Sequence, residues 1–255
     1  MSKLETMRWD VDGKIARIVF DRPQILNAMN NQATIDLNTT ADAVAQEKNA
    51  RIVIITGEGR AFSTGMDLKA LAAGEVEMLY HHRFERALRV LETMDKIVIC
   101  GIQQYCLGGG LQLALACDIR VAADNAVLGL PAIKESLVPG LATWRLPHYI
   151  GLGRAKQLIF SGDNVNAQRA LEIGLVDHVI PLAQFDARLD EIARQYLANC
   201  SEGTRQSKHL LNSSFDLEHE PFLQKYFARQ EIAQTSPDHA EAKRAYLEKR
   251  EPVWE

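Results

Sequence analysis

The chain has 255 residues, 47% of them hydrophobic and 24% charged, the composition of a globular protein with a real core and not of a disordered or low-complexity one. Lysine and arginine number 29 against 33 aspartates and glutamates, a formal charge of -4. That balance argues against nucleic acid or an anionic membrane as main partner, since both need a basic footprint.

No stretch approaches the ~18 uncharged apolar residues of a membrane span, and the opening Met-Ser-Lys-Leu-Glu-Thr-Met lacks the apolar core of a secretion signal. Taken in order, Trp9, Val11, Ile15, Ile18 and Phe20 are strand formers around Asp12-Gly13, which predicts a hairpin. Ala33, Leu37, Ala41, Val44 and Ala45 recur at helical spacing, with Asn30 or Asn31 as the N-cap. Residues 51–56 form an apolar run closed by Gly57-Glu58-Gly59, the pattern of a strand buried on both faces. A helix is expected over residues 75–93. Residues 97–102 form another buried strand, followed by Gly108-Gly109-Gly110 and an apolar helix over 111–116.

Residues 119–123 and 126–130 read as two further strands. This alternation argues for an α/β domain. From Gly153 the chain turns mostly helical. A helix over 166–173 ends at Gly174, a good residue for the position after a helix. A last strand is expected over 175–179, then helices over 183–199, 204–215, 221–234 and 238–249. Ser201-Glu202-Gly203 marks a weak boundary. It divides a core over 1–200 from a helical region over 201–255, expected to dock on the core or on a neighbouring subunit. Cys100, Cys106, Cys117 and Cys200 have no Cys-x-x-Cys pairing. A reducing cytoplasm is therefore expected, and no zinc site.

Two segments carry the chemistry. Residues 61–69, Ala-Phe-Ser-Thr-Gly-Met-Asp-Leu-Lys, form a small-residue loop after a buried strand; Gly108-Gly109-Gly110 lies between a strand and an apolar helix. Adjacent glycines let backbone approach a ligand, and amides at a helix start are unpaired donors. Two such donors aimed at one point form an oxyanion hole. Taken singly, a glycine triplet is more often a packing point. The spacing matches neither Gly-x-Gly-x-x-Gly nor a P-loop.

The ordered set resembles the enoyl-CoA hydratase/isomerase (crotonase) superfamily. The set comprises Asp21-Arg-Pro23, Asn27-Ala-Met29, the 61–69 segment, Gly108 to Asp118, Gly129-Leu-Pro131 and Val138-Pro-Gly140. It continues through Gly151 to Ala155, Ser161-Gly162, Ala170 to Asp177 and Leu247 to Val253, so it covers nearly the whole chain. The resemblance implies an α/β fold, a crotonase-like spiral of ββα units with a C-terminal helical oligomerisation region, and homo-trimers or hexamers. It implies an acyl-CoA thioester as substrate, with coenzyme A entering as part of it and no separate cofactor. The N–H groups of Met66 and Gly109 would form the oxyanion hole. Ser63, Gly65, Met66, Asp67, Leu68 and Lys69 would line the coenzyme A path beside Gly108, with Leu26 and Ala28 contacting it through their backbones.

The departures are as informative. Hydratases of this family place one glutamate just after Gly-Gly-Gly and another after Gly-x-Pro; here those positions are Gln112 and Ala132. An amide can orient water but cannot hold its proton, and alanine transfers nothing, so efficient hydration of simple enoyl-CoA is not expected. Decarboxylation of a malonyl-type thioester and a silent acyl-CoA-binding subunit are the alternatives. Glu135 reaches the same cavity if its segment is helical; otherwise it is a surface carboxylate. Leu141 and Trp144 narrow the acyl pocket or simply pack, and Tyr105 points at that pocket or packs. His81 and His82 are proton carriers or a solvated pair. Lys69 meets a coenzyme A phosphate or stays solvated. Asp118 reads as structural, accepting backbone hydrogen bonds.

Overall fold

A computed structural model describes residues 2–254. Among the described residues the strands are β1 (Ser2–Lys3), β2 (Met7–Asp12), β3 (Ile15–Phe20), β4 (Ile52–Gly57), β5 (Ile97–Ile102), β6 (Tyr105–Leu107), β7 (Ile119–Ala123), β8 (Val127–Gly129), β9 (Asn164–Asn166) and β10 (His178–Ile180). The helices are α1 (Asn31–Gln46), α2 (Leu68–Ala72), α3 (Met78–Thr93), α4 (Gly109–Leu115), α5 (Ala142–Ile150), α6 (Leu152–Ser161), α7 (Ala167–Glu172), α8 (Phe185–Leu197), α9 (Glu202–Leu211), α10 (His219–Thr235) and α11 (Pro237–Glu248). A seven-stranded sheet runs β1-β2-β3-β4-β5-β7-β10, and a smaller one runs β6-β8-β9.

The apolar runs at 52–55 and 97–100 pair in parallel, Ile52 opposite Ile97 and Ile55 opposite Cys100. Strand periodicity sends alternate residues to opposite faces. Val53, Ile55, Val98 and Cys100 join the core formed with α1 and α3, where Ala33, Leu37, Ala41, Phe84, Leu88 and Leu91 are buried. Ile52, Ile54, Ile97 and Ile99 enter a second cluster, closed by Phe185, Leu189, Ile192 and Ala193 of α8. Burying one such side chain contributes roughly 1.5–3 kcal/mol, so both faces fix the central sheet. The chain leaves that sheet after Ile102 and enters the small one at Tyr105. This short crossing delivers the glycine triplet to the start of α4.

The hairpin, α1 with its Asn30 cap accepting from the Ala33 N–H at 3.0 Å, and the two buried strands stand where the sequence puts them. Other expectations shift. The helix expected from 75 begins at Met78. The strand expected at 175–179 is His178–Ile180, and the strand expected at 126–130 is Val127–Gly129, which pairs with β6 in the small sheet. Within the segment read as a loop, α2 starts at Leu68, because the Asp67 carboxylate accepts from the Lys69 and Ala70 N–H groups. Helix α5 was masked by its internal Pro147, which reads as a breaker.

Helix α9 docks on the core of its own chain. Its Lys208 Nζ, buried, donates to Asp118 Oδ2 at 2.7 Å and to the Lys96 carbonyl at 2.7 Å. The same Asp118 oxygen accepts from the Val98 N–H at 2.7 Å. Asp118 thus tethers a helix to a strand. Burial pushes its pKa above the ordinary carboxylate value, against the pull of Lys208.

Candidate active site

Residues 63–67 thread between two stretches of main chain. The Ser63 N–H donates to the Tyr105 carbonyl at 3.0 Å, and the Leu107 N–H returns to the Ser63 carbonyl at 3.0 Å. On the other side the Thr64 N–H donates to Leu26 at 3.1 Å, Met29 donates to the Gly65 carbonyl at 2.7 Å, and Asp67 donates to the Met29 carbonyl at 2.9 Å. The fully buried Ser63 hydroxyl donates to the Asn27 carbonyl at 2.8 Å and accepts from the Gly65 N–H at 3.1 Å. The loop is therefore clamped from both flanks, and bonded geometry fixes where its remaining donor points.

That remaining donor is the Met66 N–H. Among the described residues neither it nor the Gly109 N–H, at the first position of α4, donates to any main-chain or side-chain acceptor. The two segments touch. Gly65 has φ +85°, and a Cβ there would lie 2.6 Å from the Gly109 nitrogen. A Cβ on Gly109 would in turn lie 3.7 Å from the Met66 nitrogen. Only glycine at 65 satisfies both the left-handed backbone and this approach.

Met66 and Gly109 both line one cavity of about 280 Å³. Leu68, Phe84, Leu137, Val138 and Leu141 supply its apolar wall; Tyr80, His81, Glu85, Gln112 and Glu135 supply polar atoms. Burial, and secondarily Asp67, drive the Tyr80 hydroxyl well above its ordinary pKa, so it stays protonated. A larger cavity of about 510 Å³ lies between α5 and α9, lined by Trp144, His148, Lys208 and Phe215 among others. Of these two cavities, Met66 and Gly109 line the smaller one.

The chain matches the enoyl-CoA hydratase/isomerase family over residues 10–255. It is 30% identical to a short-chain-enoyl-CoA hydratase from Clostridium acetobutylicum, covering 97% of each chain. It is 31% identical to a crotonyl-CoA hydratase from Syntrophomonas wolfei, covering 96% of each. The crystal structure of an enoyl-CoA hydratase from Bacillus anthracis superposes with a TM-score of 0.92 at 32% identity, covering 98% of this chain and 99% of that one. The chain belongs to the enoyl-CoA hydratase/isomerase family.

For a hydratase/isomerase family member the site residues divide cleanly by place. Met66, Leu68, Gly108, Gly109, Gln112, Ala132, Glu135 and Leu141 line the cavity together. Residues 131–135 form a short 3-10 helix, which brings Glu135 alongside Ala132. Ser63 and Gly65 are buried behind the amides, and Asp67 caps α2 and faces Arg22 at 3.7 Å. Lys69 is exposed. The amides and carbonyls of Leu26 and Ala28 are engaged within the chain: Leu26 N–H to Pro23, Ala28 N–H to Ile25, and the carbonyls by Thr64 and Arg22.

Trp144 stands apart from the acyl cavity. It lies one turn into α5 and packs edge-on against His148, with ring centroids 4.6 Å apart, on the wall of the larger cavity. Tyr105 sits on β6, half-buried and outside the acyl cavity lining. Of the two histidines His81 reaches the cavity, packed edge-on to Tyr80, and His82 is exposed. The sequence reading missed Glu85, the other carboxylate of this wall. Its Oε1 accepts from the Leu141 N–H at 3.1 Å and its Oε2 from Arg145 Nη1 at 2.9 Å. The signal available was an acid on the core-facing side of a helix, adjacent to the buried Phe84.

Among the described residues no group of three or more His, Cys, Asp or Glu is placed to hold a metal ion. Among the described residues no helix is long and apolar enough to cross a membrane. The four cysteines are free and buried.

Proposed function

We propose that this chain polarises the thioester carbonyl of an acyl-CoA between the Met66 and Gly109 N–H groups and stabilises the enolate formed from it. One observation carries this reading: two unpaired amides, held by neighbouring segments, open into a mainly apolar cavity. Fixed dipoles stabilise a developing oxyanion without reorganising, and each such donor is worth ~10²–10³ in rate. Coenzyme A enters as part of the substrate, without a separate cofactor.

The reaction is of the hydratase/isomerase type, with weak hydration of simple enoyl-CoA esters. Gln112 and Ala132 cannot exchange protons with water as a pair of carboxylic acids does. Decarboxylation of a malonyl-type thioester is disfavoured by the wall itself. Among the described residues that line it, none is lysine or arginine, whereas Glu85 and Glu135 are present, so a carboxylate on the substrate meets like charge. The free thiols support a reducing, cytoplasmic setting. A homo-trimer or hexamer belongs to the same proposal, supported by exposed Phe215, Phe227, Tyr246 and Leu247 in the helical region.

The test is spectroscopic. A conjugated aromatic enoyl-CoA should show a red-shifted absorbance on binding, because a polarised carbonyl extends charge separation along the chain. The Gly65→Ala variant should lose that shift. An ester that binds the wild-type protein with an unchanged spectrum overturns the reading.

A further inference from the structure

With glutamine at 112 and alanine at 132, the acyl cavity still holds two carboxylates, and they are held very differently. Glu135 is exposed and, among the described residues, makes no hydrogen bond or ion pair. Glu85 is anchored at both oxygens, by the Leu141 N–H at 3.1 Å and by Arg145 Nη1 at 2.9 Å. A proton-transferring group must be positioned before its basicity matters, and Glu85 alone meets that condition.

Its ion-pair partner is shared. Arg145, its side chain 3% exposed, donates through Nε and Nη2 to Glu92, and through Nη1 to Glu85. Burial opposes the Arg145 charge, but the hydrogen bonds and attraction of Glu92 and Glu85 outweigh it and leave its pKa above the ordinary value. One guanidinium shared by two carboxylates leaves the trio a net charge of -1. Glu92 and Arg145 line the larger cavity, whereas Glu85 faces the acyl cavity.

Gly140 lets Glu85 and Gln112 approach one another. It has φ +49°, and a Cβ there would lie 2.2 Å from Gln112 Oε1 and 3.1 Å from Glu85 Oε1. Only a residue without a side chain lets both ends converge on that point of the cavity wall.

We propose that Glu85 is the proton-transferring carboxylate of this site, a deepening that rests on the enolate reading above. Glu85 takes a proton from the carbon next to the thioester carbonyl. That C–H bond breaks, an O–H bond forms on Glu85, and the electron pair passes to the thioester oxygen held by the Met66 and Gly109 amides. The same carboxyl returns the proton to that carbon, or in a 3-enoyl chain to the carbon two positions further on, which moves the double bond and restores the carboxylate. No co-reactant is consumed. The substrate class is an unsaturated acyl-CoA with an acidic C–H beside its carbonyl.

The experiment incubates the full chain with but-3-enoyl-CoA in deuterated water and follows deuterium uptake and the position of the double bond by mass spectrometry and absorbance. Wild-type protein should incorporate deuterium. Glu85→Gln should lose at least ~10²-fold of that rate while keeping the red shift of the aromatic ester, and Glu85→Asp should recover part of it. Glu135→Gln should keep more of that rate than Glu85→Gln does. Glu92→Gln perturbs the same guanidinium but leaves Glu85 in place, and should also retain exchange; a purely structural role for the trio would affect both. If Glu85→Gln melts early, the partial loss in Glu85→Asp carries the comparison. Exchange at the wild-type rate in the Glu85 variants, a larger loss in Glu135→Gln than in Glu85→Gln, or no exchange by wild-type protein that still shifts the aromatic ester overturns the assignment. Absence of the red shift in wild-type protein instead removes the enolate reading itself.

Discussion

The Met66–Gly109 end of the acyl cavity is main chain throughout, held by hydrogen bonds to Leu26, Met29, Tyr105 and Leu107. The opposite wall, made by Gln112, Ala132, Glu135 and Glu85, is side chain. The first end retains every feature that marks the family in sequence, and the second departs from it at both expected carboxylates. The contrast has a physical origin. A backbone donor depends on the path of the chain, so any change there disturbs packing on two flanks. A side chain on a cavity wall can be replaced at little structural cost, and the chemistry changes with it.

The largest expected effect comes from the main-chain end. Gly65→Ala places a methyl 2.6 Å from the Gly109 nitrogen in a left-handed residue, which must separate the two amides. Turnover of but-3-enoyl-CoA should fall ~10²–10³-fold, with the melting temperature measured alongside to separate misfolding from lost activation. A near-normal rate would mean that the amides do not hold the oxyanion.

Next comes the wall. Ala132→Glu returns a carboxylate to the position where the family's hydratases carry one, and hydration of crotonyl-CoA should rise by at least about tenfold, a modest share of what positioned acid–base groups deliver. An unchanged hydration rate would show that position 132 does not face the reacting carbons. Gly140→Ala is expected to be milder than Gly65→Ala: it displaces Gln112 and Glu85 and should lower deuterium exchange while leaving the absorbance shift of a bound aromatic ester intact. Loss of both would erase the distinction between the two ends.

The smallest effect lies in the helical region, where Glu241 ties down the tail. Hydrogen bonds from Arg250 and Arg244 and the Val253 N–H bring Glu241 down to about 2 from an ordinary 4.5. A carboxylate whose folded pKa is depressed stabilises above its unfolded value and loses that contribution as pH falls through the folded one. The melting difference between wild type and Glu241→Gln should therefore be fully present at neutral pH, and should shrink as pH drops from 4.5 toward about 2. A difference that does not change over that range would mean that the pairing is not formed in solution.

How much of this was legible in the sequence follows from the range of the interactions. The buried strands at 52–57 and 97–102 and the glycine triplet are local patterns, whereas the pairing of Met66 with Gly109 rests on the family resemblance. The trio of Glu85, Glu92 and Arg145 joins residues 53 and 60 positions apart, and no local pattern announces such a pairing. Trp144 was misleading for a related reason. Position 141 precedes α5 and faces the acyl cavity, while position 144 lies inside the helix and turns toward His148. A loop reading could not separate them. Helix α2 was hidden because its whole signal is one cap, Asp67, in a run of small residues.

The clamp around residues 63–67 has a practical corollary. If the Met66 and Gly109 amides grip the carbonyl as proposed, they are set by the interior of the protein and not by the lining they serve, and the lining can be redesigned for new acyl chains in a combinatorial library without retuning the activating device. Retargeting this scaffold is then a problem of repainting one surface, and the variants should remain comparable in expression and assembly.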